Sequence, residues 1–269
     1  MSHPVPLAEA ADRESFGGKS ASLARALEAG LPVPPGFALA VPAVESVVRG
    51  DVEAIAALED MVSRLDGSVA VRSSAVGEDD QASSFAGQHA TLLNVRTHEA
   101  LIDAIREVHR SAHTASALAY RQRMGIDPEP KIGVTIQQLV DADAAGVLFT
   151  HNPATGAEER LIEAAWGLGE AVVSGIVIPD SYRMDPDGVV LERHPGEKEV
   201  ELRPGGRGGI EEIAVEPERV GALCLTDTQL EALHGLTSRC EGHYGGRLDI
   251  EWAFADGRLY LLQCRAITR

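Results

Sequence analysis

Residues 248–268, which read LDIEWAFADGRLYLLQCRAIT, are the stretch that decides the fold. Two runs of alternating side chains flank an Asp-Gly dipeptide, a pattern that predicts a β-hairpin. Asp249 and Glu251 share one face of the first run, and Gln263 and Arg265 share one face of the second. Whether these two polar pairs meet on one face of the hairpin depends on the length of its turn.

Two turn lengths give different registers. A two-residue turn at Asp256-Gly257 pairs Glu251 with Leu262 and sends Gln263 to the opposite face. A three-residue turn pairs Asp249 with Gln263 and leaves Glu251 one diagonal step away. The three-residue turn is the register that puts a carboxylate, an amide and a guanidinium on one wall, which suits a hard cation and the phosphates it bridges. Taken alone, the same pattern is also typical of a solvated face of an edge hairpin.

The composition indicates a folded, acidic, globular chain. It has 269 residues, 44% of them hydrophobic, and a formal net charge of −17. This charge argues against sequence-independent binding to nucleic acid or to anionic lipid, although a phosphate ligand can still be held where cations gather. Cys224, Cys240 and Cys264 have no paired spacing, so neither a disulfide framework nor a zinc site is indicated. The sequence shows neither a leader-like start nor an apolar run of membrane-spanning length, and we predict a cytoplasmic protein.

The run Gly17-Gly18-Lys19-Ser20 opens a predicted helix that continues to about Glu28. It is not a P-loop, because Arg13 stands where that motif needs a glycine and no strand precedes it. A glycine pair at a helix start can nevertheless hold an anion through backbone N–H groups and the neighbouring lysine. The alternative is a helix cap with a solvated lysine.

The remaining chain mixes predicted strands and helices. A strand is predicted at 69–73, and the polar stretch 75–88 after it is predicted to be a loop that closes over a ligand, the alternative being an acidic surface loop. Residues 182–217 are rich in turn signals and are predicted to form a peripheral, mobile insertion. Helices are predicted over three further ranges, the last opened by a capping box: 43–65, 97–124 and 226–244.

Several runs together resemble, in order, the N-terminal ATP-binding domain of phosphoenolpyruvate synthase, pyruvate phosphate dikinase and rifampin phosphotransferase. No single run is specific, but the ordered set covers almost the whole chain. The runs are GGKSASL (17–23), GLPVPPGF (30–37), VAVRSS (69–74), SFAGQ (84–88), GVLFT (146–150), IEAAWGLGEAVVSG (162–175), DIEW (249–252) and LQCRAIT (262–268).

The resemblance implies an α+β, ATP-grasp-like domain over residues 1–269, in which two lobes sandwich ATP with Mg²⁺; the boundary between the lobes stays open. It also implies a role for individual residues of this chain. The implied contacts are Lys19, Arg72 and Arg265 for the phosphates, Gly87, Thr91 and Leu92 for the lid, Glu251 and Gln263 for Mg²⁺, and Gln138 or its neighbour Gln137 for adenine.

The resemblance implies a dikinase-type phosphotransferase. In that family ATP gives its β-phosphoryl group to a histidine on a swivelling domain, leaving AMP and phosphate, and the histidine passes it to a small molecule. None of the nine histidines lies in a matching motif, so the acceptor histidine is expected on a partner domain or chain. Two alternatives remain: a stand-alone kinase or ATP-grasp ligase that forms ADP, and a non-catalytic nucleotide-binding regulatory module. The final acceptor is left open.

Overall fold

The computed structural model describes residues 3–267 except 63, 66, 78–89, 124–126, 128 and 154, together with the side chains of these residues other than those of 62 and 120. The chain divides into two compact units, each an α+β assembly. The first comprises Met1–Glu28, Pro34–Leu139 and Gly206–Gly209, and the second comprises Ala29–Val33, Val140–Gly205 and Ile210–Arg269. The α+β class predicted from the sequence is confirmed.

The first unit is built on a five-stranded antiparallel sheet with the order β1-β2-β5-β3-β4. Its strands are β1 Val5–Pro6, β2 Gly36–Leu39, β3 Val69–Ala75, β4 Thr91–Val95 and β5 Ile132–Gln138. Its helices are the 3₁₀ turn Leu7–Glu9, α1 Arg13–Glu28, α2 Val41–Arg49, α3 Val52–Val62, α4 His98–Ala112 and α5 Ala115–Arg123.

The two faces of this sheet have different coverings because strand side chains alternate. On one face, Val71, Val134 and Ile136 are buried in an apolar core with α2, α3 and α4. On the other face, Ser74 and Thr135 contact α1 through hydrogen bonds to Ser20. One face of the sheet is therefore covered by an apolar core, and the other presents buried polar side chains to α1.

Two predicted helices are each divided in two, and the prediction of single helices over 43–65 and 97–124 is wrong. The first is interrupted at Gly50, which has a left-handed conformation with φ 83°, and Asp51 then accepts a hydrogen bond from the Glu53 N–H at 3.0 Å. The second is interrupted between His113 and Thr114, where the Thr114 hydroxyl accepts from the Ala117 N–H at 3.3 Å. In both places a local cap competes with continuation of the helix.

The second unit is built on a six-stranded antiparallel sheet with the order β13-β12-β6-β7-β8-β9 and a separate two-stranded hairpin, β10–β11. Its strands are β6 Ala144–Phe149, β7 Arg160–Trp166, β8 Asp180–Met184, β9 Val190–His194, β10 Val200–Pro204, β11 Ile210–Ala214, β12 Leu248–Ala255 and β13 Arg258–Ala266. Its helices are α6 Glu170–Val173, α7 Pro217–Val220 and α8 Asp227–Tyr244.

The segment 182–217 is not a peripheral insertion, and that prediction is wrong. Its first strands belong to the main sheet, and both Tyr182 and Lys198 are fully buried. The reason is a buried ion pair between Lys198 and Asp180. The same carboxylate accepts the Gly196 N–H at 2.8 Å and the Cys224 N–H at 2.7 Å, so it ties this segment to the sheet and to the approach to α8. The predicted mobility of segment 182–217 remains a prediction.

Helix α8 begins as the capping box predicts. The Thr226 hydroxyl accepts the Gln229 N–H at 3.3 Å, and the Gln229 side chain accepts the Thr226 N–H at 2.9 Å. Leu233 and Cys240 are among the buried side chains of α8, which packs against β12 and β13. Among the described residues, no helix combines the length and apolar character needed to cross a membrane.

Candidate functional site

The hairpin at the end of the chain has a two-residue turn. Ala255 lies opposite Arg258, and the turn residues Asp256 and Gly257 have φ values of 49° and 71°. Positive φ at both central positions matches the twist of the flanking strands, and Asp-Gly is well suited to it. The prediction of a three-residue turn is therefore wrong.

A β-bulge restores the contact between polar side chains that the two-residue turn alone would prevent. The register shifts between Glu251 and Trp252, so that Trp252 lies opposite Leu261 while Glu251 lies opposite Gln263. Leu262 is the additional residue on β13, and a bulge of this kind reverses the alternation of side chains beyond it. The predicted Asp249–Gln263 pair is wrong, since Asp249 lies opposite Arg265, but all four side chains share one sheet face as expected.

An ion pair sets the orientation of Arg265 on this face. Its Nε and Nη2 atoms donate to Asp249 Oδ2 at 2.8 and 2.7 Å. The Asp249 side chain is 11% exposed and that of Arg265 is 30% exposed. A guanidinium held by a largely buried carboxylate is in a defined position and still reaches solvent, which suits recognition of an anionic group.

Small apolar side chains and one further carboxylate, Glu163, lie beside the polar wall on this sheet face. Val147 of β6 lies opposite Glu251, and Glu163 of β7 lies opposite Val147. Ala145 and Ala253 form a small apolar cluster, against which Leu262 packs. The second unit thus offers small apolar side chains next to a carboxylate, an amide and a guanidinium.

In the first unit, the start of α1 is held against the sheet. Gly17 interrupts the helix with φ 78° and ψ 174°, and a Cβ at this position would lie 1.9 Å from the Ser74 carbonyl oxygen. The Ser20 N–H donates to Ser74 Oγ at 3.0 Å, and the hydroxyls of Ser20 and Thr135 are 2.7 Å apart. Only glycine fits at position 17, and the resulting close contact fixes the backbone that carries Lys19.

Two of the predicted phosphate and lid residues are neighbours on this sheet. Arg72 of β3 lies opposite Thr91 on one side and Thr135 on the other, on the face that α1 covers. Leu92 lies opposite Val71, and its side chain packs against the apolar core. A ligand on the Arg72 face would therefore meet the backbone of Leu92 and not its side chain. Gly87 lies outside the described residues.

The two glutamines near the end of β5 point to opposite faces. Gln137 lies opposite Ala70, on the same face as Arg72, whereas Gln138 lies opposite Val69, on the other face. Gln137 is buried, and its amide donates to the Pro34 carbonyl at 3.4 Å; Gln138 is half-buried. This alternation favours Gln137 over Gln138 for a ligand that contacts Arg72.

Protein ligands for a metal are few in the part of the chain that the structure describes. It contains no group of three or more His, Cys, Asp or Glu side chains arranged to hold a metal ion. Glu251 and Gln263 together supply a carboxylate and an amide oxygen from directly opposed positions. Two protein oxygens fit Mg²⁺, which usually keeps several waters and takes further ligands from a bound phosphate.

Comparison with known proteins identifies the kind of chain to which these residues belong. Residues 51–269 match the family described as pyruvate phosphate dikinase, AMP/ATP-binding domain. The chain belongs to this family.

Relatives of this dikinase ATP-binding domain are much longer proteins. A probable phosphoenolpyruvate synthase from Methanothermobacter thermautotrophicus is 37% identical, with 94% of this chain and 44% of the relative covered. The uncharacterized phosphotransferase YvkC from Bacillus subtilis is 34% identical, with 94% and 33% covered. The prodigiosin synthesizing transferase PigC from Serratia marcescens is 37% identical, with 94% and 31% covered. The chain thus spans less than half of each of these relatives.

Solved structures give a weaker similarity to the dikinase ATP-binding domain. A dinucleotide-forming acetyl-coenzyme A synthetase from Ca. Korarchaeum cryptofilum has a TM-score of 0.47 and 13% identity, with 93% of this chain and 92% of that chain covered. A D-alanine-D-alanine ligase from Helicobacter pylori has a TM-score of 0.45 and 11% identity, with 95% and 54% covered. We draw no functional conclusion from similarities at this level.

The family membership supports the prediction of ATP binding, and the predicted ATP-grasp-like domain with two lobes agrees with two α+β units. The structure brings Glu251, Gln263 and Arg265 together in the second unit and Arg72 and Thr91 together in the first. The roles of these residues remain predictions. The hydrogen bonds of Ser20 with Ser74 and Thr135 were not predicted. The sequence feature that could have indicated them is the presence of serines shortly after Lys19 and Arg72.

Proposed function

We propose that this chain is the ATP-binding component of a dikinase-type phosphotransferase. It would transfer the β-phosphoryl group of ATP to a histidine on a partner domain or chain, which passes it to a small molecule, with AMP and phosphate as the other products. The observation that carries the proposal is the direct pairing of Glu251 with Gln263 beside the Asp249–Arg265 ion pair. This set would combine cation ligands and a phosphate ligand on one sheet face.

Glu251 and Gln263 would hold Mg²⁺. Directly opposed residues on antiparallel strands have Cβ atoms about 5 Å apart, which allows both side-chain oxygens to reach one cation. When bound, Mg²⁺ would neutralise negative charge that develops on the phosphates during transfer. The bulge at Leu262 is required for this arrangement, because without it Gln263 would lie on the apolar face.

The phosphates would be held by three cationic side chains, Lys19, Arg72 and Arg265. The backbone at the start of α1 would add N–H donors, since Gly17 allows it to lie close to the end of β3. Thr91, the backbone of Leu92 and Gly87 would cover the phosphates. Gln137, or Gln138 as first predicted, would lie beside adenine.

Phosphoryl transfer needs little covalent chemistry from the protein. It requires that the donor phosphate and the attacking nitrogen be positioned in line and that negative charge be neutralised. In this chain Arg265 and Arg72 would supply fixed charge, and the Asp249 carboxylate would keep Arg265 in position. The attacking group would come from outside the chain, as a neutral imidazole.

The test is an analysis of nucleotide products. ATP labelled at the α-phosphate, which identifies the nucleotide product, and ATP labelled at the β-phosphate, which follows the transferred group, are each incubated with the chain and Mg²⁺, alone and with the histidine-bearing remainder of a longer relative. We expect ATP binding with slow turnover for the chain alone. With the partner we expect AMP and an acid-labile phosphohistidine on that partner.

Two other outcomes would select the alternatives. ADP together with a phosphorylated small molecule, formed without a partner, would contradict the dikinase proposal and favour a direct kinase or a ligase. ATP binding with no transfer to any acceptor would favour a regulatory nucleotide-binding module.

A further inference from the structure

Two buried contacts join the start of α1 to β5 in the first unit. A Cβ at Gly133 would lie 2.5 Å from the Phe16 carbonyl oxygen, so the strand and the helix start approach closely because glycine has no side chain. Two residues further along β5, the Thr135 hydroxyl lies 2.7 Å from the Ser20 hydroxyl, and both residues are 0% exposed. Thr135 is therefore hydrogen-bonded to α1 at a point closed to solvent.

Thr135 also lies beside Arg72. The two residues are directly opposite each other on β5 and β3, so they share a sheet face and their Cβ atoms are about 5 Å apart. Ser74 lies on the same face two residues after Arg72, and its Oγ accepts the Ser20 N–H at 3.0 Å. Ser20 thus makes one hydrogen bond to each strand, with its backbone to β3 and with its side chain to β5.

These hydrogen bonds relate the two predicted phosphate ligands of the first unit to each other. Lys19 directly precedes Ser20 on α1, whereas Arg72 lies opposite Thr135 in the sheet. Both cations are half-buried, next to hydroxyls that are fully buried. A shift of Ser20 relative to Thr135 would change the distance between the two positive groups. Simultaneous contact of both with one triphosphate depends on that distance.

We propose that Thr135 is a positioning residue for the phosphates of ATP. Its hydroxyl holds Ser20, and with it the backbone of Lys19, at a fixed distance from Arg72. Thr135 acts through Ser20 and not through a contact with the nucleotide. This role rests on the proposed function, because it requires that Lys19 and Arg72 bind phosphate. It was not predicted, because a single threonine is not distinctive in a largely apolar strand pattern.

The alternative is that the hydroxyl pair only satisfies two buried polar groups. A buried hydroxyl without a partner is unfavourable, so such a pair stabilises the fold whether or not a ligand binds. A purely structural role predicts that loss of the pair weakens binding of every part of the nucleotide alike. A positioning role predicts a loss confined to the phosphates, because the pair holds the two predicted phosphate ligands.

The test is the substitution Thr135→Val, which removes the hydroxyl and keeps the branching of the side chain. Affinities for ATP with Mg²⁺, for inorganic tripolyphosphate and for adenosine are measured by displacement of a fluorescent ATP analogue. We expect affinity about tenfold weaker for ATP and for tripolyphosphate, and within about twofold of wild type for adenosine. An equal loss for adenosine, or no loss for ATP, would overturn the proposal.

Two further variants test whether the hydrogen bond itself is responsible. Thr135→Ser keeps the hydroxyl and should bind ATP within about threefold of the wild-type affinity. The double variant Ser20→Ala/Thr135→Val should bind ATP about as weakly as Thr135→Val, because both substitutions remove the same bond. Additive losses, or a Thr135→Ser variant as weak as Thr135→Val, would overturn the proposal. If Thr135→Val does not fold, Ser20→Ala tests the same bond from its other end.

The matched control is Thr237→Val in the second unit. Thr237 is 1% exposed, and its hydroxyl donates to the Leu233 carbonyl at 2.7 Å within α8. This substitution also removes a buried threonine hydroxyl, and affinity for ATP should not change. An equal loss of affinity in Thr237→Val would attribute the effect to stability and overturn the positioning role.

Failure of this proposal can be distinguished from failure of the proposed function. A wild-type chain that binds neither ATP nor tripolyphosphate would contradict the proposed function, and the role of Thr135 with it. Wild-type binding of ATP that Thr135→Val leaves unchanged would contradict the positioning role alone.

Discussion

A carboxylate on a half-buried sheet face contributes little to folding, so the role of Glu251 can be separated from stability. It lies directly opposite Gln263, on the face that also carries Arg265. We predict that Glu251→Gln lowers Mg²⁺-dependent AMP formation by about a hundredfold or more, because the substituted amide has no charge for the cation. The free energy of unfolding should change by about 1 kcal/mol or less. Partner-dependent turnover and denaturant titration measure the two effects.

The matched control for this substitution is Glu212→Gln, on the exposed strand β11. It removes the same charge from the same unit and should leave turnover unchanged. Near-wild-type turnover in Glu251→Gln would remove the basis for the metal assignment.

We interpret the buried pair Asp180–Lys198 as a contribution to stability. Both side chains are fully excluded from solvent. We predict that Asp180→Ala lowers the free energy of unfolding by about 3–5 kcal/mol, because it leaves an ammonium buried without its carboxylate. Urea denaturation measures this loss. Asp185→Ala, at an exposed turn after the same strand, should cost much less; an equal cost would contradict the interpretation.

At the scale of single elements, the start of α1 depends on one glycine. Gly17 and Gly50 both have positive φ, 78° and 83°, but they differ in their surroundings. A Cβ at position 17 would collide with the Ser74 carbonyl, whereas nothing lies within 4 Å of a Cβ at position 50. A comparison of alanine substitutions at these two positions therefore separates the cost of backbone strain from the cost of steric collision.

We predict that Gly50→Ala costs about 1–2 kcal/mol from backbone strain alone, and that Gly17→Ala costs about 2–5 kcal/mol because overpacking is added. Gly17→Ala should also weaken ATP binding, since it displaces the backbone that carries Lys19. Denaturant titration and calorimetry give the two quantities. Equal destabilisation by both substitutions, with ATP affinity unchanged, would refute the role assigned to this contact.

The final hairpin shows how far alternation in a sequence predicts structure. The pattern correctly predicted two strands and a polar face with Glu251, Gln263 and Arg265, because alternation within each strand is local. It could not predict the bulge at Leu262, because the bulge is a property of the register between two strands and not of the alternation within either strand. A two-residue turn with a bulge and a three-residue turn place the same residues on one face, so the expected face was correct and the expected turn was wrong.

The helix breaks and the segment 182–217 were missed for different reasons. Apolar periodicity continues across Gly50 and across Thr114, and the caps that interrupt it are local polar contacts. Segment 182–217 has a polar composition, but its one buried lysine pairs with a carboxylate that precedes it in the sequence. Local caps decided the helix breaks, whereas a contact between distant residues decided the place of segment 182–217.

At the scale of the whole molecule, an acidic chain binding a polyanion needs local compensation of charge. The net charge of −17 repels ATP at long range, while the predicted phosphate ligands are three cationic side chains. The carboxylate of Glu251 lies close to one of them, Arg265, on the same sheet face. A bound Mg²⁺ would convert this carboxylate from a repulsive group into a ligand.

Removal of the metal should therefore weaken nucleotide binding in a way that depends on Glu251. At a hundredfold excess of ATP and Mg²⁺ over Kd, binding adds about 2.7 kcal/mol to stability. For a chain of this size that corresponds to an increase in Tm of about 5–10 °C. With EDTA present we expect less than half of this increase, because Glu251 then faces the phosphates with like charge. In Glu251→Gln the increase should be similar with and without the metal. Calorimetric scans with EDTA but no nucleotide are the control. An equal increase in the wild-type chain with and without EDTA would mean that ATP is held without the cation, and that Glu251 and Gln263 are not its ligands.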